Sequence, residues 1–395
     1  MRPLPRALPA AAAAAALLAG ACSSPTTATS RESGPVKVGL IVTTSGPLAA
    51  YGQQWLAGFH AGLSYATGDT GAVDGHEIEV TEVDDAADPA KAVSAAKDLI
   101  GKGTRIIGGA VASGVAVQVA PIAAQNKVLN ISGSAATDAV TGVNRYTFRS
   151  GRQTMQDIAA TRAMIGDTTG KTVLVFAQDN TFGQANLAAT RTNLPGATVT
   201  SVLVPPTATD FTPFAAQAKA AHPDLLSVAW AGATAPAMWQ ALKQQGALED
   251  TTVVTGLDLR ASYPTLEVVA SDLTLAAHYF AEATTNPVNQ AMAAAVKARG
   301  GQVDLFTADG FVAAQMLVRA VQASPDDVEK QISALEGWSF DAPKGRQSIR
   351  AADHAMLQPM FHARLAGDGG ALTPTVVRTL TANQTAPPAV AMKQS

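Results

Sequence analysis

A single cysteine, Cys22, occurs in 395 residues, and that scarcity removes several designs at once. No disulfide can close within the chain, and no structural zinc site can be built from thiolates. Histidine is thin as well: the six at positions 60, 76, 222, 278, 354 and 362 show neither H-E-x-x-H nor another close metal-ligating spacing. The G-x-S-x-G turn of one common hydrolase design is missing. The stretch GDTTGKT (166–172) has one residue too few between its glycines for a phosphate loop and precedes a strand-like run instead of following one, so it is taken as a turn. No catalytic group, metal or cofactor is therefore expected. Charge of one sign is also sparse, with a formal net charge of −3 and no long acidic or basic run. Phosphate binding needs a concentrated basic face, which disfavours nucleic acid as a partner. Apolar runs fall far short of the ~20 residues of a lasting transmembrane helix.

What is present begins with Arg2 and Arg6, an apolar core over 9–18 (PAAAAAAALL), and the small residues Ala19, Gly20 and Ala21 before Cys22. These are the three regions of a secretory leader. Cys22 so placed resembles the modified cysteine of a bacterial lipoprotein, although Ala19 stands where leucine is usual; the alternative is an ordinary cleaved leader with an incidental cysteine. Two or three acyl chains, at ~0.8 kcal/mol per buried CH₂, make a firm anchor. Residues 23–35 (SSPTTATSRESGP) are Ser, Thr and Pro with almost no apolar content, the composition of a flexible tether. Removing the leader with its two arginines takes the formal charge from −3 to −5.

From Val36 onward, short β-branched runs alternate with amphipathic stretches. The pattern predicts strands at 36–42, 77–82, 104–108, 128–131, 172–177, 197–204, 225–229, 252–255 and 274–278. Helices are predicted at 52–66, 88–102, 115–125, 183–193, 211–221, 235–245, 287–299 and 307–323. Strict β-α alternation indicates parallel sheets covered by helices on both faces. Nine strands divide into two α/β lobes, and ligands of such sheets bind at the carboxyl ends of the strands.

The loops at those ends hold the candidate residues. TTSGPLAAYGQQ (43–54) places hydroxyls and a Gly-Pro turn before a helix whose N–H groups suit a carboxylate. Tyr51 there either closes over a ligand or is simply a half-buried aromatic. GGAVASGVAV (108–117) contributes Ser113, and ISGSAATDAVTG (131–142) contributes Ser132, Ser134 and Thr137. Each loop alone is a weak signal, because Ser and Gly are common helix-cap residues. In the second lobe QDNTFGQ (178–184) offers Phe182, WAGATAP (230–236) offers Trp230, and TGLDLRASYP (255–264) offers Asp258 with Arg260 two residues on. Asp258 either pairs with a ligand ammonium or belongs to a surface Asp–Arg pair of little consequence.

In this order the segments resemble the branched-chain amino-acid type of solute-binding protein that feeds an ABC importer. The resemblance runs through VKVGLIVTTSGPLAAYGQQWLAGFHAGL (36–63), DGHEIEVTEVDDAADPAKAVSAAKDLI (74–100), VAPIAAQNKVLNISGSAA (119–136), DNTFGQ (179–184), LKQQG (242–246) and EGWSFDAPKGRQSIRAADHAMLQP (336–359). It implies a two-lobed type I periplasmic-binding fold with three hinge crossings. Lobe one would comprise 36–151 and 279–334, lobe two 152–278 and 335–379, and 380–395 would be a disordered tail. Matched residue by residue, it implies that Tyr51 covers the ligand side chain. Ala112 and Ser113 fall on a loop that often carries two serines. Ser134, Ala135 and Ala136 would hold the α-carboxylate, with Thr137 beside them and a threonine often found where Ala136 stands. Phe182 takes the place of a usual tyrosine, and Asp258 would receive the α-ammonium. The implied partners are a small polar ligand such as an amino acid, ABC permease subunits, and the membrane through the lipid anchor. A ligand sensor for a membrane receptor, or a binder of a small amide or aromatic acid, would use the same closure.

Overall fold

Strand Val36–Val42 buries every residue except Lys37, as a strand covered by helices on both faces should. It lies inside a sheet of six strands in the order Ala72–Val73, His76–Asp84, Val36–Val42, Ile106–Gly109, Leu129–Ser132, Thr147–Arg149. All pairs are parallel except the two-residue edge. A second sheet of seven strands runs Thr373–Leu380, Met360–Ala366, Leu273–Ala277, Thr252–Gly256, Leu225–Ala229, Thr172–Gln178, Thr198–Val204. Met360–Ala366 runs antiparallel to both its neighbours, and the remaining pairs are parallel. The computed structural model describes residues 34–267, 269–367 and 371–393. The expected leader, Cys22 and the tether up to residue 33 lie outside the described residues.

Each expected strand has its counterpart within two residues at either end. Among the elements missing from the sequence reading were the strands Thr147–Arg149 and Thr373–Leu380 and the helices Thr154–Ile165 and Val328–Leu335. Helix Thr154–Ile165 begins where Gln156 reaches back to accept the N–H of Gln153 at 3.0 Å, a capping contact made without the usual hydroxyl.

Helices Ala49–Thr67 and Thr307–Ala323 pack backbone to backbone. A Cβ on Gly58 would stand 1.9 Å from the carbonyl oxygen of Thr307, and one on Gly310 would stand 1.9 Å from that of Trp55. Only glycine permits so close an approach. This contact returns the chain to lobe one after lobe two has been built.

Two expected boundaries are corrected. Residues 335–379 are expected in lobe two, but Ser339–Ala342, Gly345–Ile349 and Met356–Leu357 form a small antiparallel sheet of their own. Its Phe340, Ala342, Ile349 and Met356 share one apolar core with Val38, Leu40 and Leu129, so this segment belongs to lobe one. Alternation puts these apolar side chains on the sheet's inner face, against helix Val328–Leu335 and its Ile332 and Leu335. The expected disordered tail is docked as far as residue 393. Thr385 is fully buried and donates to the carbonyl of Gln358 at 3.4 Å. Arg350 donates to the carbonyls of Pro387 and Pro388 at 2.8 and 3.2 Å. The N–H of Val390 meets Asp353 at 3.1 Å, and that of Lys393 meets the carbonyl of Gly142 at 2.9 Å.

The chain crosses between lobes at 150–153, 278–286 and 358–359, and the crossings converge on one buried ion pair. Lys344 Nζ and Asp309 Oδ1 are 2.7 Å apart with neither side chain exposed. Lys344 also donates to Gln358 at 2.7 Å, and His278 Nε2 lies 3.7 Å from Asp309 Oδ2. Gly151 passes so near that a Cβ there would be 2.6 Å from the same oxygen. Gly151, His278 and Gln358 each stand on a different crossing.

Candidate functional site

Where the carboxyl ends of the two sheets face one another lies a cavity of about 110 Å³. Tyr51, Ser134, Ala136 and Phe306 line it from lobe one, Phe182, Trp230, Trp239, Leu257 and Asp258 from lobe two, and Arg152 and His278 from the crossings.

Six of the residues singled out by sequence are thus brought together: Tyr51, Ser134, Ala136, Phe182, Trp230 and Asp258. Ala112, Ser113, Ser132, Ala135 and Thr137 are not among the lining residues. Ala112 packs against the apolar cluster of Val115 and Ala116, and Ala135 is a fully buried member of that cluster. The Ser113 hydroxyl accepts the N–H of Thr137 at 3.3 Å. The Thr137 hydroxyl accepts the N–H of Ala139, and its carbonyl accepts Arg149. These hydroxyls are spent on local backbone. The same holds for the loop after the first strand. Thr43 donates to Asp85 at 2.6 Å, while the N–H groups of Thr44 and Ser45 donate to Asp84 at 2.8 and 3.2 Å. The anion expected there is the protein's own: hydrogen bonds from Ser45 and neighbouring amides hold the Asp84 carboxyl well below the usual carboxylate range.

Tyr51 joins the lobes. Its hydroxyl donates to Asp258 Oδ1 at 2.9 Å and accepts the N–H of Gly232 at 3.1 Å, while its ring lies 4.6 Å from that of Phe306. Close by, the N–H of Ala233 reaches the carbonyl of Pro47 at 3.3 Å, so the lobes touch in front of the cavity. Burial pushes the Asp258 carboxyl up, and burial followed by the Asp258 charge pushes the Tyr51 phenol well up. The surface Asp–Arg reading of this loop fails, because Arg260 pairs with Glu282 instead. Trp230 is held by its indole N–H, which donates to Thr234 at 3.0 Å, and by the rings of Phe176 and Phe211. Phe182 packs on the cluster of Val175 and Leu187.

Sequence reasoning missed Arg152, Asp157, His278 and Phe306. Arg152 Nη1 donates to the carbonyl of Ser134 at 2.8 Å, Nε lies 3.4 Å from Asp157 Oδ2, and the guanidinium lies 5.9 Å from the ring of Phe306. Burial, then the charges of Arg152 and Lys344, hold the His278 imidazole well below its ordinary value. The available signal was a lone arginine in the short segment SGRQ between the last strand of one lobe and the first helix of the next.

Two α/β lobes joined by three crossings and touching beside a shared cavity define a solute-binding clamp of the type I periplasmic-binding fold. The chain belongs to the periplasmic binding protein family, whose family model matches residues 35–371. It is 26% identical to the Leu/Ile/Val-binding protein BraC3 of Rhizobium johnstonii over 76% of this chain and 83% of that one. An ABC-type branched-chain amino acid transporter structure from Rhodopseudomonas palustris CGA009 is 33% identical, with a TM-score of 0.75 over 90% of this chain and 99% of that one. A solute-binding protein of an ABC transporter from Rhodopseudomonas palustris BisB5, in complex with 3,4-dihydroxybenzoic acid, is 25% identical, with a TM-score of 0.75 over 89% and 98% of the two chains. The family is one of binding proteins, not enzymes. Among the described residues no helix is long and apolar enough to cross a membrane.

Proposed function

We propose that this chain is the extracytoplasmic binding protein of an ABC importer, held to the membrane by acylated Cys22, and that it captures a small amino acid by hinge closure. The observation that carries the ligand reading is the pairing of two polar groups on opposite lobes of one cavity, the Ser134 hydroxyl and the Asp258 carboxylate. A zwitterion bridging the lobes sets its carboxylate on the first and its ammonium on the second, and each contact forms fully only in the closed state. The similarity to branched-chain amino-acid binding proteins supports this reading. A second reading, an aromatic acid, is favoured by the rings of Phe182, Trp230, Trp239 and Phe306 around the cavity and by the dihydroxybenzoate-bound relative.

Thermal unfolding against a panel of amino acids, amides and aromatic acids tests both. A ligand at ~100 times its Kd adds about 2.7 kcal/mol. Stabilisation by aliphatic amino acids supports the first reading, and stabilisation by aromatic acids alone supports the second. Mass spectrometry of membrane-extracted protein tests the anchor: an acylated N-terminal Cys22 is expected, and a freely secreted, unmodified form refutes it.

A further inference from the structure

We infer that residues 381–393 form a strap, a fourth link between the lobes, which latches onto lobe one while the lobes are closed and biases the clamp toward that state. The inference rests on the reading of the molecule as a hinged clamp.

The strap is attached at its root, its middle and its tip. The root is Leu380, wholly buried at the end of strand Thr373–Leu380 in a cluster with Ala160, Ala276 and Met360 of lobe two. The middle lies on the hinge, where the wholly buried Thr385 donates to the carbonyl of Gln358 on the third crossing at 3.4 Å. The tip enters a socket on lobe one made by Arg350 and Asp353. Arg350 holds both carboxylate oxygens of Asp353, at 2.8 and 2.7 Å, and turns further N–H groups to the carbonyls of Pro387 and Pro388 at 2.8 and 3.2 Å. The Asp353 side chain has no exposed surface, and it accepts the N–H of Val390 at 3.1 Å. The N–H of Lys393 then closes the tip on the carbonyl of Gly142 at 2.9 Å, while Gly142 donates to the carbonyl of Asp353 at 2.8 Å. Without the strap, Arg350 would lack acceptors and Asp353 a donor, and buried polar groups are costly to leave unpaired.

The composition of the strap suits a mechanical part. Consecutive prolines hold a stiff, extended backbone, and having no N–H they offer the carbonyl alone, which is what Arg350 takes. Between root and socket the strap stands off lobe two. Gln384, Ala386 and Pro388 form one side of a groove of about 850 Å³, with Arg162, Asn193 and Pro195 on the other. Lobe two can therefore turn beneath the strap, but only by moving the root away from the socket and breaking hydrogen bonds at the tip. In the structure the tip is latched while Tyr51 bridges Asp258 and Gly232 across the front of the cavity. Contacts that form together in one state raise each other's population by the same factor.

Small-angle X-ray scattering of the full chain, of Val390→Pro and of a chain ending at Leu380 tests this, with hydrogen exchange at the Lys393 amide reporting on the latch. The Val390 side chain is 45% exposed, so Val390→Pro removes the N–H that Asp353 accepts without disturbing the core. Exchange at Lys393 should speed up roughly tenfold, the fold-change of one bond to a charged acceptor, and the radius of gyration should rise. The shortened chain should show a larger rise, which an excess of synthetic peptide 381–395 should reverse. Faster exchange at an unchanged radius overturns the inference, as does exchange that does not change, and as does a folded shortened chain of wild-type radius. Val390→Pro keeps the whole strap, so it decides the question even where the shortened chain does not fold. If these variants fail to open while wild-type protein is still stabilised by one of the amino acids, amides or aromatic acids named above, the strap falls and solute binding stands. If none of those solutes stabilises the wild type, the clamp on which the strap would act falls with it.

Discussion

Replacing Lys344 by Met would strand the carboxylate on which the three hinge crossings converge. Lys344 and Asp309 are 2.7 Å apart with both side chains wholly buried, so removing the ammonium leaves Asp309 without its direct counter-ion in a dry site. Breaking a buried pair from one side costs about 3–5 kcal/mol, whereas removing both charges is often nearly neutral. Lys344→Met should therefore lower the urea midpoint sharply, and Lys344→Met combined with Asp309→Asn should recover most of the loss. His278 gives the deficit a pH dependence. Its Nε2 lies 3.7 Å from Asp309 Oδ2, and the Lys344 charge is one of the causes depressing its protonation. Without Lys344 the folded-state pKa of His278 rises, so the folded variant takes up a proton more readily and its deficit should shrink as pH falls through about 6.5. A loss below ~1 kcal/mol, or a double variant no more stable than the single one, would show that Asp309 is not an uncompensated charge.

Tyr51→Phe removes the hydroxyl linking Asp258 to Gly232 across the lobes; a cost of about 1–3 kcal/mol to the closed form should appear as a larger radius of gyration in small-angle X-ray scattering of the ligand-free protein. An unchanged radius would mean that the bond does not hold the lobes together. Gly58→Ala drives a methyl to 1.9 Å from the carbonyl oxygen of Thr307, and the overpacking should destabilise by about 1–3 kcal/mol, with a lowered Tm as the readout. His278 has a folded pKa depressed below its unfolded value. Its contribution to stability is therefore present above pH ~6.5 and lost as pH falls toward the folded pKa. The difference in stability between wild type and His278→Gln should move against the wild type over that interval, and a flat difference refutes the assignment.

The nine strands and eight helices read from sequence correspond to observed elements because each is a local pattern: a run such as VKVGLIV buries both faces, and the Ala-rich stretches carry helical periodicity. Placement of the candidate loops at the carboxyl ends of parallel strands follows from β-α alternation alone. That is why Tyr51, Ser134, Phe182, Trp230 and Asp258 are legible as a set without knowledge of any contact, while Ala136 was singled out only by the family resemblance. Hydroxyl-bearing loops are read too generously in the same way, since composition cannot distinguish a serine facing a ligand from one such as Ser113, which accepts a neighbouring amide.

Tertiary structure decided the rest, and in each case the deciding partner is distant in sequence. The sheet over 339–357 joins lobe one because its inner face meets a core built from residues near 40 and 130. The tail is ordered through hydrogen bonds to Gly142, Arg350 and Asp353, although its own composition holds little to bury. Arg152 gains its place from a carbonyl 18 residues away, and the Lys344–Asp309 pair joins elements 35 residues apart. Local periodicity determined which segments fold and which ends face the cleft. Which polar atoms remain unpaired there depends on all the neighbours that fold onto them, and that only the assembled lobes determine.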